Sequence, residues 1–306
     1  MGLARTLLLR ASRSRWLADQ FRRRDFARRA VRRFLPGEKL ADALDASAEF
    51  ASAGIGTVLT ELGEQVRNGV EAEAVRDHYL DVFSQLRERF LPTQVSVKLT
   101  HLGLDLGREA CARHVLQLAA RATEEGSFLW LDMEEARYVD STLDIFRRAR
   151  AEYSSVGICL QAYLRRTTAD LTALLPLSPA IRLVKGAYRE PADVALTRRR
   201  DVDTQFFTLA DQLLTAAAAG RAHPVFGTHD LTLISRLRDQ ATKRRAAGRY
   251  EVHMLYGIRA EDQRALAAEG VKVRVLVSYG SHWFAWYMRR LAERPANVWF
   301  VVRTLF

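Results

Sequence analysis

The chain has 306 residues, of which 48% are hydrophobic and 27% are charged, so it has enough apolar residues to build a large buried core. This composition excludes a collagen, a coiled coil and a disordered low-complexity chain. Two cysteines, Cys111 and Cys159, are too few for a disulfide framework or a cysteine-based zinc site. The cysteine count therefore indicates a reducing compartment and predicts no metal site.

The formal net charge of +11 is concentrated at the N-terminus. Residues 1–33 contain eleven arginines and two aspartates, a net charge of +9, which leaves +2 for the rest of the chain. An enzyme of nucleic acids needs basic groups along a binding face, so we expect no nucleic-acid partner. We predict a basic helical arm over residues 1–45, which is either solvated or in peripheral contact with an anionic membrane. No run of 18 apolar residues occurs, so no membrane-spanning segment is predicted.

Eight short apolar segments rich in strand-forming residues recur along the chain, at intervals that average about 31 residues. They begin at Gly54, Gln94, Phe128, Val156, Ile181, His223, Tyr250 and Val271. The segments between them have helical periodicity, most clearly residues 72–90. This alternation predicts the α/β class and a (β/α)8 TIM-like barrel over residues 46–306. A doubly wound open sheet is the alternative, although no glycine fingerprint follows the first strand.

Polar residues stand at the ends of the predicted strands, where barrel enzymes keep their chemistry. They are Lys98, Asp132, Gln161, Lys185, Thr228, His229, Asp230 and Tyr279. We expect them to converge on one rim and to form a pocket with a few aimed polar groups. Two alternatives stay open from the residues alone: His229 could be structural, and Lys98 or Lys185 could form a Schiff base, as in a class I aldolase.

The last predicted helix carries a polar and aromatic stripe. Trp286, Arg289, Arg290 and Glu293 stand at positions i, i+3, i+4 and i+7. Two guanidinium groups beside an aromatic ring suit a small carboxylate or phosphate, because arginine donates two parallel hydrogen bonds. The alternative is a solvated helix face on which Glu293 pairs with Arg289.

Seven segments, in order, resemble the proline dehydrogenase family, in particular its monofunctional bacterial members. The segments are VSVKLT (95–100), LDMEE (131–135), LQAYLRRT (160–167), RLVKGAYREP (182–191), THD (228–230), MLYGIR (254–259) and RRLAERPAN (289–297). The resemblance implies that the barrel is distorted and that the protein is a cytoplasmic flavoprotein of proline catabolism. Such an enzyme binds FAD and oxidises L-proline to 1-pyrroline-5-carboxylate by hydride transfer to the flavin. Quinone or another acceptor then takes the electrons, and a pyrroline-5-carboxylate dehydrogenase is an implied partner.

The resemblance also implies roles for individual residues. Asp132 and Arg182 would be catalytic, and Glu64 would pair with Arg289 as a gate. The substrate would contact Lys98, Asp132, Tyr188, Leu255, Arg289 and Arg290, with the last two clamping its carboxylate. The cofactor would contact Met133, Gln161, Arg182, Lys185, Gly186, Ala187, Thr228, His229 and Glu293.

Two residues depart from the family pattern, and one geometric point bears on strand five. Leu276 and Trp286 stand where the family usually has tyrosine, in positions that face the substrate in relatives. This opens two further alternatives: oxidation of another cyclic imino acid such as hydroxyproline, or a binding protein without activity. Strict alternation would place Arg182 and Lys185 on opposite faces, so the strand is expected to end or bulge between them.

Overall fold

The computed structural model describes residues 33–63 and 65–284 of the chain. Its strands are β1 (Gly56–Glu61), β2 (Thr93–Val97), β3 (Leu129–Leu131), β4 (Val156–Gln161), β5 (Ala180–Val184), β6 (His223–Gly227), β7 (Glu251–Leu255) and β8 (Val273–Tyr279). Its α-helices are α1 (Leu40–Ser52), α2 (Gly69–Glu88), α3 (Arg108–Glu124), α4 (Val139–Glu152), α5 (Thr167–Leu174), α6 (Arg199–Ala218), α7 (Leu231–Lys243) and α8 (Ala260–Ala268).

The eight strands form a closed parallel barrel in sequence order. Each strand pairs with its neighbours along the chain, and β8 pairs with β1 from Gly56 opposite Arg274 to Glu61 opposite Tyr279. The barrel predicted from the sequence is confirmed, and the open sheet is excluded. Every strand begins within two residues of its predicted start. α1 lies against β1 and β8 and covers their seam.

The strands bury both of their faces, because helices cover the outside of the barrel and side chains fill its inside. The outward-facing residues join the helices in one large core, to which Leu59, Val95 and Leu183 belong. A second, smaller core lies inside the barrel, and it consists of Val58, Trp130, Ala180 and Val225, with Phe128 and Leu276 packed against it. In β1, β3, β5 and β6, successive residues alternate between the two cores, as Leu129, Trp130 and Leu131 do in β3.

The best-predicted helix, α2, illustrates how local signals set the bounds of an element. The predicted span is residues 72–90, whereas the helix runs from Gly69 to Glu88. It begins earlier because the Asn68 side chain caps its first turn by accepting a hydrogen bond from Glu71 N at 2.9 Å. It ends before Phe90, whose positive φ of 52° is incompatible with a right-handed helix. Its buried face includes Tyr79, Phe83 and Leu86, as the periodicity predicts.

The predicted division at residue 45 falls within α1, and residues 1–32 of the basic arm lie outside the described residues. The extent of the arm therefore stays a prediction. In the described ranges, no helix combines the length and the apolar character that crossing a bilayer requires.

Candidate active site

Three charged side chains meet at the C-terminal ends of β2, β3 and β5. Arg182 Nη2 donates hydrogen bonds to Asp132 Oδ1 and, at 2.7 Å, to Ser96 Oγ. Ser96 Oγ also donates to Asp132 Oδ1 at 2.9 Å, and Lys98 Nζ lies 3.9 Å from Asp132 Oδ2. One carboxylate thus lies between two cations. With two cations and one carboxylate, this group of three carries a formal positive charge, which favours an anionic ligand.

The buried polar atoms at this mouth that have no hydrogen-bond partner among the described residues include the donor Arg182 Nη1 and the acceptor Gln161 Oε1. The Gln161 amide nitrogen donates to the carbonyl oxygen of Met133, at 3.4 Å. Buried polar groups in folded proteins are almost always paired, so this donor and acceptor indicate a polar ligand. A flavin ring carries donors and acceptors along one edge and fits these residues.

A second polar group connects the end of β5 with α6 and with the start of α7. Lys185 Nζ lies 2.5 Å from Asp203 Oδ1 of α6 and 3.5 Å from Asp230 Oδ2 at the start of α7. Burial would raise the pKa of Asp230. The hydrogen bond from Leu233 N and the charge of Lys185 outweigh burial and hold that pKa below its ordinary value. Two ion pairs therefore hold the Lys185 side chain in place.

The remaining residues predicted on β6 and β7 lie next to this group. Thr228 Oγ1 accepts a hydrogen bond from Asp230 N at 3.2 Å, which fixes the turn into α7. His229 Nε2 accepts from the backbone N–H of Leu255 at 3.3 Å. This contact ties the end of β6 to the end of β7. Leu255 itself is half-buried at the end of β7.

The loop after β5 depends on a glycine. Gly186 has a φ of +109°, and a Cβ at this position would lie 2.1 Å from the ring of Tyr163. No other residue therefore fits without moving that ring. Beyond it, Ala187 is exposed and Tyr188 is half-buried. Glu190 accepts a hydrogen bond from Ala136 N at 2.7 Å and so ties the loop to the segment after β3.

β5 was expected to end or bulge between Arg182 and Lys185, and the structure shows that it ends there. The strand ends at Val184, so Arg182 faces the barrel interior while Lys185 follows the last strand residue and is free of the alternation. Several residues with predicted roles lie outside the described residues. They are the gate residue Glu64, the clamp residues Arg289 and Arg290, the cofactor contact Glu293, and Trp286, which departs from the family pattern.

One expectation about the rim is wrong. Tyr279 does end β8, but its hydroxyl lies 2.7 Å from His78 Nε2 of α2, in the outer core. The reason is the alternation of the strand: Leu276 faces the interior, so Tyr279, three residues later, faces outward. The departure at Leu276 does lie inside the barrel, against the cluster that contains Trp130.

Several interior residues do not follow from the strand ends alone. Ser96 and Trp130 lie within the strands, and both contact Arg182. A further group lies at the N-terminal ends of β6, β7 and β8, away from the mouth, and we call it the base cluster. Its members are His223, Glu251, His253 and Arg274. The same alternation would have placed these residues inside, because each stands an even number of positions from an interior residue of its own strand.

In the base cluster, Arg274 Nε donates to Glu251 Oε2 at 2.8 Å, and His253 Nε2 lies 3.3 Å from the same oxygen. Burial would raise the pKa of Glu251. Hydrogen bonds from His223 and His253 and the charge of Arg274 instead hold that pKa far below its usual range. The pKa of His253 is lowered from 6.5 to about 4, mainly by burial and also by the charge of Arg182, while the hydrogen bond with Glu251 acts in the opposite direction.

A closed (β/α)8 barrel whose strand ends bring together a charged cluster with buried, unpaired polar atoms defines a barrel enzyme with its site at the C-terminal face. Comparison with protein families makes the assignment specific. Residues 43–303 match the family model described as proline dehydrogenase, and the chain therefore belongs to the proline dehydrogenase family.

Individual relatives agree with this membership. Proline dehydrogenase 1 of Bacillus subtilis subsp. natto is 35% identical over 278 residues, which cover 90% of this chain and 90% of that protein. Proline dehydrogenase of Deinococcus radiodurans is 36% identical over 278 residues, or 89% of this chain and 88% of that one. Among solved structures, proline utilization A of Bdellovibrio bacteriovorus superposes with a TM-score of 0.81 at 23% identity. That match covers 87% of this chain and 33% of the larger one, and it supports the fold.

Proposed function

We propose that this protein oxidises L-proline to 1-pyrroline-5-carboxylate with bound FAD, in proline catabolism. The observation that carries the proposal is the cluster of Lys98, Asp132 and Arg182 at the barrel mouth of a chain in this family. Bound FAD would accept a hydride from the carbon next to the proline nitrogen. The unpaired donor of Arg182 and the unpaired acceptor of Gln161 are the groups that would hold the ring edge.

Arg182 would supply fixed positive charge where negative charge develops. Its side chain is only 6% exposed, and Asp132 and Ser96 hold its position before substrate arrives. A preoriented charge in a buried site stabilises the developing anion more than water does, because the site needs no reorganisation. The same charge balance would draw the carboxylate of proline toward the mouth, where the predicted clamp of Arg289 and Arg290 would orient it. Tyr188 and Leu255 would contact the pyrrolidine ring.

The aldolase alternative is not favoured by the contacts of the two lysines. An amine that forms a Schiff base must be uncharged. Lys98 lies near Asp132, and Lys185 lies between Asp203 and Asp230, so each amine is engaged with a carboxylate that it would have to leave before it could attack a carbonyl.

The further cofactor contacts and partners form part of the same proposal. Met133, Gly186, Ala187, Thr228, His229 and Glu293 would complete the FAD site, and Lys185 would keep the β5 and β6 loops together beneath it. Quinone or another acceptor would reoxidise the enzyme in the cytoplasm. The arginines of residues 1–33 would bring it to the anionic membrane surface, and a pyrroline-5-carboxylate dehydrogenase would take the product.

The experiment is an anaerobic spectrum of the purified protein. We expect a yellow protein whose flavin absorbance bleaches on addition of L-proline and bleaches less with hydroxyproline. Yellow protein that L-proline leaves unbleached would point to the inactive binding protein. Colourless protein that borohydride traps with a keto substrate would establish the aldolase.

The clamp is tested separately by Arg290→Lys, with Arg264→Lys as the matched control. Arg264 is exposed on α8, far from the barrel mouth. Because lysine cannot donate two parallel hydrogen bonds to a carboxylate, Arg290→Lys should raise the KM for proline roughly 10-fold or more, with flavin retained. Arg264→Lys should leave KM unchanged. Equal KM values for both variants would remove Arg290 from the substrate site.

A further inference from the structure

The guanidinium of Arg182 is held on more than one side, and one of its contacts is an indole. Trp130, in the middle of β3, is fully buried inside the barrel, and the guanidinium carbon lies 5.1 Å from its ring centroid. Tryptophan attracts a cation over its face more strongly than the other aromatic residues do. Trp130 therefore fixes Arg182 from within the barrel, while Ser96 and Asp132 hold Nη2 by hydrogen bonds.

Trp130 is itself fixed by two interior contacts. Its Nε1 donates to Gln94 Oε1 at 2.7 Å, which anchors the pyrrole end of the indole. The ring of His253 stands nearly perpendicular to the indole, at 79°, with the centroids 5.7 Å apart. His253 is anchored in turn by Glu251, which Arg274 holds at 2.8 Å. A continuous line of contacts thus runs from the base cluster to Arg182.

The chemistry of the Trp130 indole and the His253 imidazole suits the positioning of Arg182. A protonated imidazole beside Trp130 would add a cation between Arg182 and Arg274, and burial keeps His253 neutral by lowering its pKa to about 4. A neutral imidazole can contact the indole without repelling either arginine. Glu251 supplies a negative charge next to His253 and balances Arg274.

We propose that Trp130 and His253 are positioning residues for Arg182, which keep its unpaired Nη1 directed at the flavin edge. The inference rests on the proposed function, since it concerns the same cofactor. Neither residue is needed to touch substrate or flavin. Their effect passes through the guanidinium, whose place in the barrel they determine. A looser guanidinium stabilises the negative charge of reduced flavin less, so the midpoint potential of the bound flavin should fall.

The test compares Trp130→Phe and His253→Gln with the wild-type holoenzyme. The readout is the midpoint potential from a reductive titration with dithionite and a reference dye, which needs no proline. We expect Trp130→Phe to weaken the binding of reduced flavin about tenfold relative to that of oxidised flavin. This change corresponds to a fall of about 30 mV in the midpoint potential of a two-electron couple. His253→Gln should shift the potential in the same direction by less. Both proteins should remain yellow.

Two controls separate positioning from general damage to the core. Phe226→Leu removes a buried ring from the outer face of β6, where it contacts Phe206 and Tyr250, and it should leave the potential unchanged. In an Arg182→Met background, Trp130→Phe should no longer shift the potential, because its effect acts through the guanidinium.

An unchanged potential in Trp130→Phe, or an equal shift with and without Arg182, overturns the inference. Should Trp130→Phe fail to fold, His253→Gln provides the same comparison with the indole in place. Failure of the proposed function gives a different result, namely wild-type flavin that proline does not bleach although its potential responds to these substitutions. Protein that takes up no flavin overturns both.

Discussion

Asp132 is the residue on which the charge balance of the barrel mouth depends. It is the carboxylate shared by Arg182 and Lys98, and Ser96 donates to the same oxygen as Arg182. The arrangement fixes a guanidinium by a negative partner while leaving one of its nitrogens unpaired. A site of this kind gives up some of the stability of a fully paired arginine and keeps a donor available for a ligand.

Asp132→Asn tests this role directly. The substitution leaves a buried guanidinium without its counterion, so we expect the free energy of unfolding to fall by about 2 to 4 kcal/mol. Turnover of proline should fall roughly 100-fold in kcat/KM, because Arg182 loses its fixed position. The matched control is Asp140→Asn, which removes an exposed partner of Arg166 and should cost less than about 1 kcal/mol. Urea denaturation and steady-state kinetics measure both effects, and similar losses in the two variants would contradict the assignment.

A second prediction at this scale concerns Gly186. Gly186→Ala forces a Cβ against the Tyr163 ring and also requires an unfavourable φ, whereas Gly220→Ala meets the φ cost alone, at +70° with no atom within 4 Å. We expect Gly220→Ala to lower the free energy of unfolding by about 1 kcal/mol, and Gly186→Ala to lower it by about 1 to 3 kcal/mol more. Gly186→Ala should also lose flavin during gel filtration. Equal stabilities in urea would show that the Tyr163 ring moves freely.

At the scale of elements, the turn from β6 into α7 both stabilises the start of a helix and positions a residue of the predicted cofactor site. Asp230 caps α7 by accepting a hydrogen bond from Leu233 N at 3.2 Å, and it also lies near Lys185. A capping side chain satisfies a backbone N–H that the helix cannot pair, and a carboxylate there also interacts favourably with the helix dipole. One residue therefore starts a helix and places a loop lysine.

The two roles of Asp230 can be separated by substitution. Asp230→Ala removes both the cap and the charge and should reduce stability by about 1 kcal/mol, whereas Asp230→Asn keeps a capping oxygen and should cost less. Thermal unfolding measures the stability, and equilibrium dialysis measures FAD affinity. We expect FAD affinity to fall in both variants, because both remove one of the two carboxylates that hold Lys185. Full affinity in Asp230→Asn would show that the charge of Asp230 has no part in placing the loop.

At the scale of the whole molecule, the barrel is closed at its base by buried charges rather than by apolar side chains alone. Glu251 there depends on Arg274 and two histidines, so the stability of the barrel depends on pH. Above its ordinary pKa of 4.5, the lowered pKa of folded Glu251 adds stability, and this contribution is lost as the pH falls through the folded value. Between pH 6.5 and about 4, unfolded His253 binds a proton that folded His253 does not, so stability also falls as the pH falls.

We therefore expect the free energy of unfolding to decrease steadily from pH 7 to pH 4, by a few kcal/mol from this cluster. His253→Gln should flatten the part of the curve between pH 6.5 and 4. Glu251→Gln should lower stability at pH 7 and flatten the acid end below pH 4.5. Urea titrations at half-unit pH intervals on the three proteins test this. Parallel curves for all three would show that the base cluster does not govern acid stability.

The sequence alone determined the fold class, the order of the strands and the residues that end them, because apolar periodicity and strand spacing are local properties of the chain. Lys98 and Asp132 were predicted at strand ends for the same reason, Arg182 was predicted only from the family resemblance, and the motif order places the chain in its family. The contacts among them did not follow from the sequence. That Ser96 and Trp130 contact Arg182, that Tyr279 faces α2, and that Glu251 lies among two histidines and an arginine depend on closure of the barrel. Closure brings together side chains from strands far apart in the chain, and their distances are set by strand register and interior packing, which no local pattern contains.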